Sequence, residues 1–373
     1  MKSGKDGVFS GTVVRTPIIS WPGKGDPVAE VPTPQETGFH VPAEWEPQDS
    51  VWLSWPHDEE TFPELPAVVD AYCAIIRASC RGGRIDLLVR DEEAREQVRS
   101  LLGKSGGIPE GLCFHEIDYA DVWIRDYGPT FLVNRKTHEL AMVNWRFNAW
   151  GNKYPELLYD DCIPSMMNRE LGIRCFSPGV VLEGGSIDVN GKGTVMTTEQ
   201  CLLNANRNPG LGRAEIEAVL REYLGCSRVI WLSKGIAGDD TDGHVDDIAR
   251  FVNERTVVCA VEENPYEDNY SVLRENYLAL QRSTDQDGRP LTVIPLPMPG
   301  HGGDGEPLPA SYANFLITNR VVLMPVFGHR NDDRARAVLA SVFPDREVIG
   351  IDCRALVKGL GAVHCISQQQ PVP

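Results

Sequence analysis

The residues of this chain best suited to chemistry stand near its end, in Gly359-Leu360-Gly361-Ala362-Val363-His364-Cys365-Ile366-Ser367-Gln368-Gln369-Gln370-Pro371. Cys365 follows a glycine-rich turn, has a histidine beside it and precedes a run of side-chain amides, a polar setting that suits a reactive thiol better than a structural one. The other nine cysteines mostly read as apolar filler, as Cys73 does in the run from Ala67 to Ile76 and Cys259 in Val257-Val258-Cys259-Ala260-Val261. Three further stretches combine acid, glycine and histidine. They are Asp121-Val122-Trp123-Ile124-Arg125-Asp126-Tyr127-Gly128-Pro129, Leu182-Glu183-Gly184-Gly185-Ser186, and Gly238-Asp239-Asp240-Thr241-Asp242-Gly243-His244-Val245-Asp246-Asp247. Each alone also has a purely structural reading: Arg125-Asp126 as a local ion pair, and Glu183-Gly184-Gly185 as a bulge before a strand. Together, a thiol, a histidine and several carboxylates fit a planar cation clamped edge-on while sulfur attacks its central carbon. Guanidinium pairs with carboxylates in this bidentate way. Asp126 and Asp246 would hold it, and its charge beside Cys365 would favour thiolate.

Other chemistries fit less well. With Gly243 as the sixth position of a calcium loop, the first would be Gly238 and the twelfth Ala249, so key ligands are missing. A His244/Asp246 transition-metal site has no second histidine near in sequence. No G-x-S-x-G elbow of a serine hydrolase occurs. Ten cysteines without a C-x2-C or C-x4-C pair speak against structural zinc and for reduced thiols. A formal charge of −17 and a pI near 4.9 argue against nucleic acid as a partner and suit a small cation, although excess acid also simply keeps a protein soluble. No apolar h-region or run of 18 apolar residues occurs, so a cytoplasmic protein with no membrane partner is expected.

These residues need elements to bring them together. Residues 1–38 are rich in Gly, Pro and Ser and read as an irregular leader. From residue 39 to 373 a single catalytic domain is expected. A strand near Val51, a helix from about Pro66 to Ser79, a strand Arg84 to Arg90, a helix near Glu92 to Leu102 and a strand at Leu112 to Ile117 come first. Then one pattern of hairpin, helix and strand recurs four times at intervals of roughly sixty residues. Its hairpins span Thr130 to Trp145, Ser186 to Thr197 around Asn190-Gly191, Ile248 to Val261, and Asn314 to Pro325. Helices near Glu156 to Leu171, Arg213 to Leu224, Asp268 to Gln281 and Asp332 to Val342 follow them in turn. The strand near Val51 and one expected around Cys365 both lack partners; pairing them would complete a fifth unit and close a cyclic α/β domain. An ordinary mixed sheet in two domains is the rival arrangement.

From about Phe39 to Pro371 the chain resembles the agmatine deiminases of the guanidine-modifying (pentein) superfamily. The resemblance runs through Pro42-Ala43-Glu44-Trp45, Trp123 to Pro129, Phe147-Asn148-Ala149-Trp150-Gly151, Leu182 to Ser186, Cys201 to Pro209, Gly238 to Asp246 and His364 to Pro371. It implies a five-bladed ring of ββαβ units, an α/β-propeller, and hydrolysis of agmatine to N-carbamoylputrescine and ammonia without metal or organic cofactor. Cys365 would form an amidino-thioether, His244 supported by Glu183 would move the protons, and Asp126 and Asp246 would hold the guanidinium. Trp123 would line the pocket and Asp240, with Asp239 beside it, would meet the far amine. Leu360 and Ala362 depart from the glycine and asparagine usual in this family, and the segment between Pro295 and Ser311 is shorter than in many members. The alternatives are a deiminase of free or peptide-terminal arginine, an amidinotransferase, or a silent ring used for binding. The partner expected is a small cationic guanidino compound; association into a homo-oligomer is left open.

Overall fold

The computed structural model describes residues 32–104, 106–300 and 307–373. Strands β1 (Gln48–Ser54), β2 (Arg84–Val89) and β3 (Leu112–Glu116) run parallel in one sheet. Four sheets of a second design follow. In each, two antiparallel strands are joined by a parallel third that returns after a helix: β4 (Thr130–Asn134), β5 (Glu139–Val143) and β6 (Arg174–Phe176); then β7 (Asp188–Val189), β8 (Thr194–Thr198) and β9 (Arg228–Leu232). The third comprises β10 (Ala249–Asn253), β11 (Thr256–Val261) and β12 (Thr292–Pro297), and the fourth β13 (Leu316–Ile317), β14 (Val321–Val326) and β15 (Glu347–Asp352). The last strand, β16 (Ser367–Pro371), pairs antiparallel with β1, Leu53 opposite Ser367 and Gln48 opposite Pro371. The two single strands of the sequence thus find each other, although β16 begins two residues beyond Cys365.

The middle strands are covered on both faces, so β11 and β14 read as continuous apolar runs rather than alternations. Their covers are amphipathic helices. In Leu65–Ser79, Val68, Tyr72, Ile75 and Ile76 recur at helical spacing and are fully buried, and proline in the first turn presets the helical φ. Each such side chain contributes about 1.5–3 kcal/mol through burial.

The expected helix over 156–171 is instead a 3₁₀ segment, Pro155–Cys162, followed by an α-helix, Ile163–Leu171. Tertiary contact explains the change: the Asp160 carboxylate accepts from the backbone N–H of Ala120 at 2.6 Å and of Asp121 at 3.1 Å, which fixes the first turns against the Trp123 segment. Asn190-Gly191 does lie in a hairpin, but the loop runs over 190–193, with the Asn190 side chain accepting from Lys192 N and Thr194 N. Not all of the other nine cysteines are apolar filler: Cys113, Cys162 and Cys175 are exposed. The first 31 residues of the expected leader, and 301–306 in the short segment before Ser311, lie outside the described residues. Thr33–Gly38 form hydrogen-bonded turns, with Gln35 N–H donating to Glu222 O at 3.0 Å. Among the described residues no helix is long and apolar enough to cross a membrane.

Candidate active site

The nucleophile candidate is presented by a tight turn. A 3₁₀ segment, Leu356–Gly359, ends at Leu360, whose φ of 71° is left-handed. Such a conformation costs a residue with a side chain about 1–2 kcal/mol. Gly359 lies against the Phe62 ring and Gly361 against the Trp123 ring so closely that a Cβ at either would collide. The turn is thereby pressed onto an aromatic pair, Phe62 and Trp123, with centroids 5.8 Å apart. Arg125 N–H donates to Cys365 O at 3.2 Å, and the Arg125 side chain donates to Gln369 Oε1 at 2.7 Å and His364 O at 3.3 Å. The Arg125 side chain therefore braces the segment carrying Cys365, and among the described residues none of its hydrogen bonds goes to its neighbour Asp126. Burial, with the carboxylates of Asp246, Asp247 and Asp126, pushes the Cys365 thiol well above the ordinary thiol range.

Two of these buried carboxylates are those expected to hold the guanidinium. Asp126, on the short helix Ile124–Tyr127, accepts from Gly185 N at 3.0 Å and Trp150 Nε1 at 2.9 Å. Burial pushes it up to about 6, with the nearby acids adding to the shift and His244 opposing it. Asp246 lies in the 3₁₀ turn Val245–Asp247, with Oδ2 2.7 Å from His364 Nδ1 and 4.0 Å from Cys365 Sγ. Its Oδ1 is buried and has no hydrogen-bond partner. The other nitrogen of His364, Nε2, lies 2.8 Å from Glu44 Oε2. Glu44 is itself bound by Arg250 Nη2 at 2.6 Å and Ile317 N–H at 2.7 Å. Against the penalty of burial, the His364 hydrogen bond and charge keep Asp246 below the usual carboxylate range.

His244, the residue before that turn, has Nδ1 3.6 Å from Asp126 Oδ1 and Nε2 3.8 Å from Glu183 Oε2. Burial opposes its charge, yet the Asp126 carboxylate and contacts with Cys201 and Glu183 raise it well above the ordinary imidazole value. Arg207 Nε donates to Glu183 Oε1 at 2.7 Å, while its Nη1 and Nη2 donate to Asp242 Oδ2 and Thr241 O at 2.6 and 2.8 Å. One arginine thus fixes both the carboxylate under His244 and the loop leading into it. Asp239 does not reach the cavity; its carboxylate accepts from the N–H groups of Thr241, Gly243 and His244 and so shapes that loop. Asp240 stands on the cavity wall, its Oδ2 accepting from Tyr154 OH at 2.5 Å.

The cavity in front of Cys365 measures about 320 Å³. Trp123, Asp126, Asp240 and Cys365 line it; His244, Glu183 and Asp246 are not among its lining residues. Asp58, Glu60, Asp121 and Glu156 bring its carboxylates to six, against one ammonium, Lys358, which is paired with Glu64. Among the described residues, two groups could in principle ligate a metal, Glu183/Cys201/His244 and Asp246/Asp247/Cys365, each with ligand atoms within 4.8 Å of one another. His244 and Asp246 fall in different groups.

A family model described as Porphyromonas-type peptidyl-arginine deiminase matches residues 40–371. The chain belongs to that family. It is 38% identical over 373 aligned residues to the agmatine deiminase of Pseudomonas fluorescens, covering 91% of this chain and 98% of that one. The solved agmatine deiminase of Enterococcus faecalis superposes with a TM-score of 0.85 at 33% identity, covering 92% and 98% of the two chains. A solved agmatine deiminase from C. jejuni gives 0.78 at 28%, covering 89% and 96%. The fold is the mixed α/β fold of these deiminases.

Four parts of the site are not among the candidates the sequence offers: Glu44, Arg207, Cys201 and Asn314. Glu44 and the segment from Cys201 to Pro209 stood inside motifs that carry the resemblance, but nothing in one dimension says that Glu44 meets a histidine 320 positions away. Asn314, which donates to Cys365 Sγ at 3.0 Å, left no signal at all in Ser311-Tyr312-Ala313-Asn314-Phe315.

Proposed function

We propose that this chain hydrolyses agmatine to N-carbamoylputrescine and ammonia through an amidino-cysteine intermediate on Cys365. The observation that carries the reading is electrostatic. A buried thiol is surrounded by carboxylates with too few cations, and one carboxylate oxygen, Asp246 Oδ1, is left without a donor. A guanidinium supplies the missing donors in the plane a carboxylate accepts. Its positive charge also offsets the field that keeps the thiol protonated, so the thiolate forms where its electrophile is bound.

The steps follow from that placement. Asp126 and Asp246 grip the guanidinium, and the sulfur adds to its central carbon. The C–N bond to an unsubstituted nitrogen then breaks, that nitrogen taking a proton from His244 and leaving as ammonia. A water molecule gives one proton back to His244 and its oxygen adds to the carbon; the C–S bond then breaks to release the thiolate and, as the hydroxyl proton passes to solvent, the ureido product. Glu183 stabilises the imidazolium, and Trp123 walls the methylene chain. Asp240 receives the distal ammonium, through a water or in exchange for its bond to Tyr154.

We also propose the five-bladed ring. Neighbouring units are joined in succession by Asp126 to Gly185, Asp188 to Arg250, Arg250 to Phe315 O, Asn314 to His364 and Arg125 to Gln369, and this series returns to its start. The ring, one domain over residues 39–373 behind a leader of 1–38, puts the candidate residues at the joints between units. Free or peptide-terminal arginine is the second reading, favoured by the family's description. A substrate carboxylate would meet six acids and one already paired lysine in the cavity wall. Agmatine, arginine and arginyl peptides offered separately, with ammonia and ureido product measured, test the proposal: agmatine is turned over with the highest kcat/KM. Preference for arginine would overturn the substrate assignment, and inertness toward all three would overturn the chemistry.

A further inference from the structure

We propose that Cys201 is a positioning residue for His244, its thiol donating to Glu183 Oε2 and accepting from His244 Nε2, and so bridging an imidazole and a carboxylate that do not hydrogen-bond directly. The inference rests on the reading of His244 as the acid and base of the reaction.

His244 Nε2 lies 3.8 Å from Glu183 Oε2, beyond hydrogen-bond range, and among the described residues this buried nitrogen has no hydrogen-bond partner. Cys201 Sγ lies 3.8 Å from the same carboxylate oxygen, and one ligating atom each of Glu183, Cys201 and His244 falls within 4.8 Å of the other two. All three side chains are buried, where an N–H left without an acceptor is costly. A thiol is a weak donor and a weak acceptor at once, so one sulfur can serve both neighbours.

The protons are placed to match. Against the penalty of burial, the charge of Arg207 keeps Glu183 below the usual carboxylate range, and Arg207 Nε occupies Oε1, which leaves Oε2 as an ionised acceptor. Burial, with the Glu183 charge adding to it, pushes the Cys201 thiol above its ordinary range, so the sulfur keeps the hydrogen it donates. His244 Nδ1 faces Asp126, which lines the cavity, so Nδ1 is the nitrogen that trades protons and Nε2 the one that must keep its own. The sulfur is also held in place. Cys201 lies on the short helix Glu199–Leu202, whose capping residue Thr198 accepts from Cys201 N–H at 3.1 Å and donates its hydroxyl to Gly243 O at 2.6 Å. Gln200 Oε1 accepts from Gly235 N–H at 2.9 Å, so the helix is tied twice to the segment that leads into His244.

A buried cysteine also acts as a small hydrophobe, so the test must separate hydrogen bonding from packing. Cys201→Val keeps apolar bulk in place of the thiol but neither donates nor accepts, whereas Cys201→Ser does both. The titration of His244 is followed by NMR in enzyme carrying isotope-labelled histidine, with its signals identified by their loss in His244→Gln; no substrate is needed. Asp126, Glu183, Asp239, Asp246 and Asp247 all act on the His244 charge and remain in both variants, so a difference between them reads the thiol. In Cys201→Val the imidazole titrates about half to one pH unit lower than in wild type, because an acceptor for the charged form is lost. The value of kcat falls by about threefold to tenfold while KM for agmatine changes by less than about twofold, and Cys201→Ser restores both the titration and most of kcat. Cys201→Ala takes the place of the valine variant if that one does not fold. A His244 titration in the apolar variant that overlays wild type, or a folded serine variant no better than the apolar one, would overturn the proposal. Inertness of the wild type toward agmatine would overturn the reading of the reaction instead, and the NMR comparison would still decide the bridge.

Discussion

Replacing Asp246 by asparagine should move the reactivity of Cys365 and the rate of turnover in opposite directions. The carboxylate oxygen Asp246 Oδ2 stands 4.0 Å from Cys365 Sγ, and both side chains are buried. At an effective dielectric constant of about 20, two unit charges at that separation repel by about 4 kcal/mol. The imidazole of His364, 2.7 Å from the same oxygen, neutralises part of this charge. A discount of about half leaves on the order of 2 kcal/mol, or thirtyfold in thiolate population. The asparagine side chain has nearly the same shape as the aspartate and keeps an oxygen that can accept from His364. Asp246→Asn should therefore be alkylated at Cys365 by iodoacetamide on the order of thirtyfold faster than wild type at neutral pH. Its kcat/KM for agmatine should nevertheless fall by about a hundredfold or more, because a charge-assisted contact with the guanidinium is gone. Alkylation that stays the same or slows would mean that burial alone governs the thiol, and that the carboxylates do not create the demand for a cation on which the account rests.

Three further outcomes are expected. His244→Gln should lower both formation and breakdown of the covalent adduct by about a hundredfold or more, as seen by rapid quench, because one group serves both proton transfers; turnover within about tenfold of wild type would remove it as the acid and base. Asp240→Asn should raise KM for agmatine by about tenfold while affecting arginine less, and an unchanged ratio of kcat/KM for the two substrates would place recognition of the distal amine elsewhere. His115 bridges Asp86 at 2.9 Å and Glu170 at 2.5 Å; burial opposes its charge, but these carboxylates raise it above the ordinary imidazole value. A raised value in the folded state means that its stabilisation is full below about pH 6.5, the unfolded value, and is lost as pH rises through the folded one. The Tm difference between wild type and His115→Gln should accordingly shrink as pH is raised above about 6.5, and a difference independent of pH would show that the bridge carries no charge.

Much of the fold was legible because its signals are local. Apolar runs such as Val321 to Val326, the spacing of Val68, Tyr72, Ile75 and Ile76, and Asn190-Gly191 each specify an element without reference to the rest of the chain. The pairing of β1 with β16 was inferable from two strands lacking partners. The segment from Pro155 to Leu171 was misread as one helix because what decides its first turns is Asp160 reaching Ala120 and Asp121, roughly forty positions earlier. The candidate site divides in the same manner. Asp126, His244, Asp246 and Cys365 announce themselves by type beside glycine-rich turns, whereas the groups that hold them do so only in three dimensions. Arg207 reaches Glu183, Glu44 reaches His364, and Asn314 reaches the sulfur. Leu360 belongs to both categories. It was noticed as a departure in sequence, and it occupies a left-handed position on the cavity wall that a glycine would take without strain.

The claim on which the rest depends is that Cys365 bonds to the guanidinium carbon. Mass analysis of enzyme mixed with agmatine and quenched in acid, followed by peptide mapping, tests it most directly. The account predicts an adduct with the mass of agmatine less ammonia, confined to the peptide carrying Cys365 and absent from Cys365→Ser. An adduct on Cys201 or any other cysteine, or turnover by Cys365→Ser near the wild-type rate, would contradict it.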